Sequence, residues 1–148
     1  VVNKFPGNPA LFTGTFTNYQ QAPKVFRSAE QFLIFAEAAN EVNNGPNAEA
    51  YAQLNVIRRR AAASAAPAGM NQEQFRSYVL AERAREFVFE GVRRYDLLRW
   101  GIYIQVMNKI SAGQNNISKV RSLRNLLLPI PLTELNSNQA ITGNNPGW

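Results

Sequence analysis

The chain has 148 residues, of which 45% are hydrophobic and 18% charged, with a net charge of +6. This length and composition fit about one domain with a buried core and exclude a disordered tail. Neither cysteine nor histidine is present, which excludes disulfides, thiolate nucleophiles and zinc-thiolate sites and leaves glycosidase-type carboxylate pairs and hard-metal binding as plausible chemistries.

The first 25 residues are rich in proline and glycine and show no helical period, so they predict an extended arm or loops over residues 1–25. The chain begins at Val1, inside the proline- and asparagine-rich stretch VVNKFPGNPA, and we expect it to be a fragment of a longer protein. It shows no secretory signal and no apolar run long enough to span a bilayer.

A helical hairpin is predicted after the arm. Ser28 and Gln31 fit a capping box that opens a helix running to about Asn43, with Gly45 as its left-handed cap, and a second helix starts near Asn47. The expected buried faces are Phe32, Phe35, Ala36, Ala39 and Val42 on the first helix and Ala50, Leu54, Ile57 and Ala61 on the second. Two helices joined by so short a turn fold back antiparallel, and their alanine-rich faces resemble a tetratricopeptide-type unit. The pattern predicts an all-α fold.

Two longer helices are predicted in the second half of the chain. Asn71 caps a third helix that runs to Glu90, and residues 92 to about 110 predict a fourth helix, weakened near its middle by Gly101. The expected apolar face of the fourth helix is Tyr95, Leu98, Ile102 and Val106. After a polar loop, an apolar extended piece follows, Thr133 is placed to cap a short helical turn, and the chain ends in coil.

The segment 82–101, ERAREFVFEGVRRYDLLRWG, mixes charged residues with large apolar ones. Glu82 and Glu86 fall on the apolar side of a helical wheel, which points both carboxylates toward the core. The apolar residues on that side are Phe75, Tyr78, Val79 and Phe89. A lone buried carboxylate is strongly destabilising, so guanidinium partners are required. We predict a structural ion network of Glu82, Glu86, Glu90, Arg93, Arg94, Asp96, Arg99, Arg58 and Arg60.

Two other interpretations of this segment remain open. A glycosidase would use Glu82 and Glu86 as its acid–base pair, with Cβ atoms about 5–6 Å apart on adjacent turns. Arginine neighbours would, however, lower both pKa values and spoil the acid. A nucleic-acid surface fits the net charge of +6, yet these arginines alternate with carboxylates instead of forming a patch free of acids.

Four segments, in this order along the chain, resemble the SusD/RagB family. LIFAEAANEVN (33–43) resembles the family's AEAxxE helix, and AYAQLNVIRRRA (50–61) resembles its LNxxRxRA helix. The charged segment carries the family's Glu-Arg, Phe-Glu-Gly, Asp-Leu and Arg-Trp-Gly elements, and LLLPIPLTELNSNQAITGNNPGW resembles its ending. Four ordered motifs make the resemblance specific.

The resemblance implies that residues 26–148 are the C-terminal helical domain of a longer protein built around tetratricopeptide-like hairpins. Family members are non-enzymatic lipoproteins on the surface of the Gram-negative outer membrane. They bind glycans or other nutrients and act with a SusC-type TonB-dependent transporter, and the lipidated cysteine would lie outside this chain. The alternative to this function is a tetratricopeptide-like protein-interaction module.

The four motifs are architectural, so no ligand-contacting residue can be carried over from them, and we expect no cofactor or metal. Ligand contacts are best sought in the loop at 111–122 and in the arm. The aromatic residues of the arm are Phe5, Phe12, Phe16 and Tyr19. Trp100 and Trp148 could also stack on sugars, although we expect Trp100 to be buried and Trp148 to pack on the body or lie exposed in the terminal coil.

Overall fold

The computed structural model describes residues 25–113 and 120–148, and these residues form α helices and a 3-10 helix but no strand. The helices are α1 (Ser28–Val42), α2 (Ala48–Arg60), α3 (Gln72–Glu86), α4 (Arg93–Arg99), α5 (Tyr103–Gly113), the 3-10 helix (Leu123–Leu126) and α6 (Leu132–Ser137). The all-α prediction is confirmed. The predicted arm lies outside the described residues, apart from Val25. The chain divides into two compact units, an N-terminal unit that ends at Glu90 and a C-terminal unit, Gly91–Trp148.

The N-terminal unit is built from the α1–α2 hairpin, with α3 packed on α1. Its buried core includes Ala29, Leu33, Ala36, Ala50, Leu54, Ile57, Phe75 and Val79. Alanines within this core allow the helices to approach closely. The Phe75 ring meets the Tyr51 ring edge to face, with centroids 5.0 Å apart, which adds to the apolar burial.

Asparagine side chains cap two of these helices. The sequence predicts the cap at Asn71, and at Asn47 it predicts only the start of the helix. Asn47 accepts a hydrogen bond from the Ala50 backbone at 2.8 Å, and Asn71 forms a capping box with Gln74. The capping box predicted at Ser28 is wrong, because α1 begins at Ser28 itself and Arg27 occupies the N-cap position without a side-chain cap.

The buried face of α1 differs from the predicted one. Phe35 and Val42 are exposed, and the buried residues of the helix are Ala29, Leu33, Ala36 and Asn40. The buried face differs from the predicted one because α1 packs against both α2 and α3. Asn40 is fully buried, and its Nδ2 donates to the Gln72 carbonyl oxygen at 3.0 Å, which satisfies the amide nitrogen.

The ends of α1 and α2 use non-glycine residues in the left-handed region. Asn44 has a φ of 53° and Ala62 a φ of 53°, so the prediction that Gly45 is the left-handed cap is wrong. After α1, the Gly45 backbone N–H donates to the Asn40 carbonyl oxygen at 2.9 Å, which closes a Schellman motif. Ala61 caps α2 and is exposed, where burial was expected.

The third helix ends four residues earlier than predicted. Phe87 occupies the C-cap position after Glu86, and the Glu90 backbone N–H donates to the Phe87 carbonyl oxygen at 3.0 Å in the turn that follows. Phe89 has a φ of 64° and is 72% exposed. The prediction that Phe89 faces inward is therefore wrong, since the helical wheel does not extend beyond the helix end.

In the C-terminal unit, the single helix predicted over 92–110 is two helices. Gly101 has a φ of 70° and sits at the C′ position of a Schellman motif, in which its N–H donates to Leu98 and that of Ile102 to Leu97, each at 3.0 Å. Because the helix breaks there, no continuous apolar face forms, and Tyr95 is exposed while Leu97 is buried.

The remaining C-terminal elements are short. Pro131 occupies the N-cap position of α6 and Thr133 lies inside the helix, so the prediction that Thr133 is the cap is wrong. Trp100 is half-buried, where burial was expected. Asn144 fixes the terminal coil, because its Oδ1 accepts from the Ile130 backbone N–H at 2.8 Å.

Candidate functional site

A cluster of arginines and glutamates joins the helices of the N-terminal unit. Glu82 of α3 is buried, and its Oε2 lies 2.7 Å from Arg58 Nη1 of α2. The Arg58 guanidinium also donates through Nε to the Ser64 carbonyl oxygen at 2.6 Å and lies over the Tyr78 ring. From the solvent side, Arg85 Nη2 approaches Glu82 Oε2 at 2.7 Å. The predicted inward carboxylate therefore has the α2 arginine as its partner.

Glu86 and Glu90 share a second arginine, Arg27, which precedes α1. Arg27 Nη2 lies 2.8 Å from Glu86 Oε1 and 2.9 Å from Glu90 Oε1, and Nε donates to Glu90 Oε2 at 2.9 Å. Arg60 of α2 pairs with the other Glu86 oxygen. The fork of Arg27 therefore binds Glu90 with two parallel bonds, the geometry that gives guanidinium–carboxylate pairs their strength.

The ring of Phe87 contacts two arginines of this cluster. The guanidinium carbons of Arg27 and Arg83 each lie 5.1 Å from its ring centroid, and Arg83 Nη2 reaches Glu30 Oε1 of α1 at 3.2 Å. Cations over a buried ring gain from its negative face when water is excluded. The start of α1 is thus fastened to the end of α3 by ion pairs and by cation–π contacts.

The electrostatics of the cluster keep Glu86 ionised. Burial by itself would raise the pKa of Glu86, but hydrogen bonds from Arg60 and Arg27 outweigh it and hold that pKa below its usual range. The pKa of Arg27 is raised, because its bonds to Glu90 and Glu86 exceed the effect of its burial. A general acid needs the opposite shift, a pKa raised toward neutrality. The arrangement suits helix attachment and opposes proton donation.

We expect the protein to lose stability in acid through Glu86. The pKa of Glu86 is lower in the folded state than the unfolded value of about 4.3. Below about pH 4.3 the unfolded chain therefore binds more protons than the folded chain. The stability that Glu86 contributes is complete above that pH and is lost as the pH falls further. Urea unfolding at a series of pH values should show this loss. Glu86→Gln should flatten the decline, and an unchanged acid slope in that variant would contradict the assignment.

Four predicted members of the network lie in the C-terminal unit: Arg93, Arg94, Asp96 and Arg99. Arg94 donates to the Tyr103 hydroxyl at 2.6 Å and to the Asn125 carbonyl oxygen at 3.0 Å. Arg99 Nε donates to Asp96, a buried carboxylate, at 3.0 Å. The Arg94 contacts fasten α4 to α5 and to the 3-10 helix, whereas the Arg99–Asp96 pair lies within α4. Both serve the architecture of their own unit.

Sequence reasoning missed four members of the cluster: Arg27, Glu30, Arg83 and Arg85. Arg83 and Arg85 lie within the charged segment, where the wheel places them beside the inward face, so that signal was available. No local sequence pattern indicates the role of Arg27, because its partner Glu90 lies 63 residues away.

The positions where ligand contacts were expected are largely outside the described residues. This applies to Phe5, Phe12, Phe16 and Tyr19 and to most of the loop at 111–122. Over residues 25–113 and 120–148, no group of three or more acidic side chains is placed to hold a metal ion. In the same ranges, no helix has the length and apolar character needed to cross a membrane.

The chain matches the SusD family over residues 1–148. SusD-like protein P25 of Formosa agariphila is 37% identical over 131 residues, which cover 84% of this chain and 24% of that protein. The starch-binding protein SusD of Bacteroides thetaiotaomicron is 32% identical over 124 residues, covering 81% of this chain and 20% of that protein.

A solved structure agrees with these sequence matches. A SusD homologue from Bacteroides thetaiotaomicron has a TM-score of 0.73 and 33% identity, covering 84% of this chain and 26% of that one. This chain spans about a quarter of the length of these relatives. The resemblance carried by the four motifs is confirmed, and the chain belongs to the SusD family.

Proposed function

We propose that this chain is the helical scaffold part of a non-enzymatic protein that binds a nutrient glycan. The observation that carries the proposal is the match to the SusD family along all 148 residues, with a relative named for starch binding among the similar proteins. The arginine–glutamate cluster supports the non-enzymatic part of the proposal, because the lowered pKa of Glu86 makes that carboxyl a poor proton donor.

We further propose that the whole protein works at the surface of the outer membrane. In this proposal it is a lipoprotein that passes its ligand to a SusC-like TonB-dependent transporter, and its lipid anchor lies outside the present chain. The support is the family membership. The N-terminal unit would supply rigidity, since its buried ion pairs fix the relative positions of α1, α2 and α3.

Glycan binding can be tested by affinity electrophoresis of the whole protein that contains this chain. Native gels would contain starch, xylan or laminarin, and the control would be the same gel without polysaccharide. We expect one of these polysaccharides to retard the protein and calorimetry with its oligosaccharides to give a saturable binding heat. Purification from solubilised outer membranes should recover a TonB-dependent transporter with it. A protein that no polysaccharide retards and that brings down no transporter would refute the proposal.

A protein-interaction module is the second candidate, favoured by one surface feature. Phe35 and Val42 lie on one face of α1 and are both exposed, as is the adjacent Ile34, and exposed apolar surface of this kind commonly contacts other proteins. The same purification separates the two candidates. A soluble partner that crosslinks to α1, together with no retardation by any polysaccharide, would favour the interaction module.

A further inference from the structure

The C-terminal unit has little apolar core of its own. Among its described residues, the buried hydrophobic side chains are those of Leu97 and Tyr103, whereas the N-terminal unit buries a much larger set. A folded segment this short buries too small a fraction of its surface to be stable unless further contacts add to that burial. The unit therefore needs apolar contacts beyond those that it makes within itself.

The same unit exposes a concentrated set of large apolar side chains in residues 120–132, here called the leucine segment. They are Val120, Leu123, Leu126, Leu127, Leu128 and Leu132. Single exposed apolar residues are ordinary on a protein surface, but a concentration of them marks a surface that another body covers. The leucine segment is therefore the place where the missing burial can be supplied.

Polar contacts hold the middle of the leucine segment in an extended conformation. Asn145 Nδ2 donates to the Leu128 carbonyl oxygen at 2.6 Å, and the Ile130 backbone N–H donates to Asn144 Oδ1 at 2.8 Å. Leu127 has a φ of −104° and a ψ of 154°. Successive side chains of an extended backbone point to opposite sides. Because Leu127 is 53% and Leu128 66% exposed, each side of the segment carries an exposed leucine.

This arrangement restricts what can cover the segment. A flat surface would bury the leucine on one side only, so both are buried only by a groove that receives the segment. The need for burial is also permanent, because the core of the unit is small whether or not a ligand is present. A transient partner would return the leucines to water each time it dissociated, whereas a covalently linked part of the same protein covers them at all times.

The relatives show how much protein is available for this role. The chain spans about a quarter of the length of the proteins it matches. We propose that the leucine segment docks in a groove of the rest of the longer protein, with Leu127 and Leu128 buried against opposite walls. This inference rests on the longer protein of the proposed function and not on its glycan ligand. The leucine segment is then an internal interface, which contacts neither glycan nor transporter.

Thiol labelling of the whole protein tests whether both leucines are buried. The chain has no cysteine, so Leu127→Cys and Leu128→Cys each place one thiol in the tryptic peptide 125–148, where mass spectrometry measures its alkylation. We expect each thiol to react at least about tenfold more slowly in the native protein than in urea, because a buried thiol reacts only when the segment opens. The matched control is Ser137→Cys, an exposed polar position in the same peptide, which should react at similar rates in both.

Two results of the labelling would overturn the proposal. Native rates equal to the urea rates at both leucine positions would show that the segment lies in water. Protection at only one of the two positions would show contact with a flat surface and would exclude the groove.

Photo-crosslinking of the whole protein identifies what covers the segment. Leucine is replaced throughout by its diazirine analogue, which has nearly the same shape, and crosslinks from peptide 125–148 are located after illumination. We expect Leu127 and Leu128 to crosslink to peptides outside residues 1–148, in a species that runs as a monomer. Crosslinks confined to residues 1–148, crosslinks found only in dimers, or reaction with water alone would each refute the docking. If these crosslinks form in a protein that no polysaccharide retards, the glycan proposal fails and the docking stands.

Discussion

Replacement of Glu82 by alanine is expected to lower the free energy of unfolding by about 3–5 kcal/mol. Arg58 is buried, and its Nη1 lies 2.7 Å from Glu82 Oε2. Removal of the carboxylate leaves a desolvated cation whose other hydrogen bond, from Nε to the Ser64 carbonyl oxygen, does not neutralise it. The midpoint and slope of urea unfolding, followed by far-ultraviolet circular dichroism, give the free energy.

Two controls separate burial from charge in this experiment. Glu41 pairs with Arg76 at the surface, so Glu41→Ala should cost about 1 kcal/mol or less. The double variant Arg58→Met, Glu82→Leu replaces both charges with apolar groups and should recover most of the loss. A loss below about 0.5 kcal/mol in Glu82→Ala, the range of ordinary surface substitutions, would mean that this ion pair contributes little.

The parts of this fold that sequence reasoning predicted are those set by local chemistry. Asn71 caps α3 because a short side-chain acceptor meets free N–H groups within three residues. The inward direction of Glu82 followed from the helical period alone. Its partner Arg58 was one of several arginines that topology placed within reach, because α2 carries three consecutive arginines.

The errors arose where tertiary contacts override local patterns. The wheel for α3 was continued to Phe89, but the helix ends at Glu86, where Arg27 donates to the Glu86 carbonyl oxygen at 3.2 Å and binds the Glu90 side chain. Nothing near Arg27 in the sequence indicates partners 59 and 63 residues away. Such a contact could be inferred only after the packing of α3 on α1 was known.

Phe75 and Phe89 provide the second large prediction, because the helical wheel placed both on one inward face and the structure separates them. Phe75 is completely buried against Tyr51, whereas Phe89 is 72% exposed. Phe75→Ala should lower the free energy of unfolding by about 3–5 kcal/mol, through lost transfer free energy and the cavity left behind. Phe89→Ala should change it by about 0.5 kcal/mol or less.

The backbone of Phe89 is strained, which allows a third variant to be compared with the two alanine variants. Its φ of 64° costs a side chain with a Cβ about 1–2 kcal/mol, a strain that glycine does not pay. Glycine also makes the unfolded chain more flexible, which opposes the gain, so Phe89→Gly should leave stability unchanged or raise it slightly. Urea unfolding of the three variants measures all of these effects together. A loss in Phe89→Ala as large as that in Phe75→Ala would show that Phe89 is buried in the protein and that the turn after α3 directs it inward.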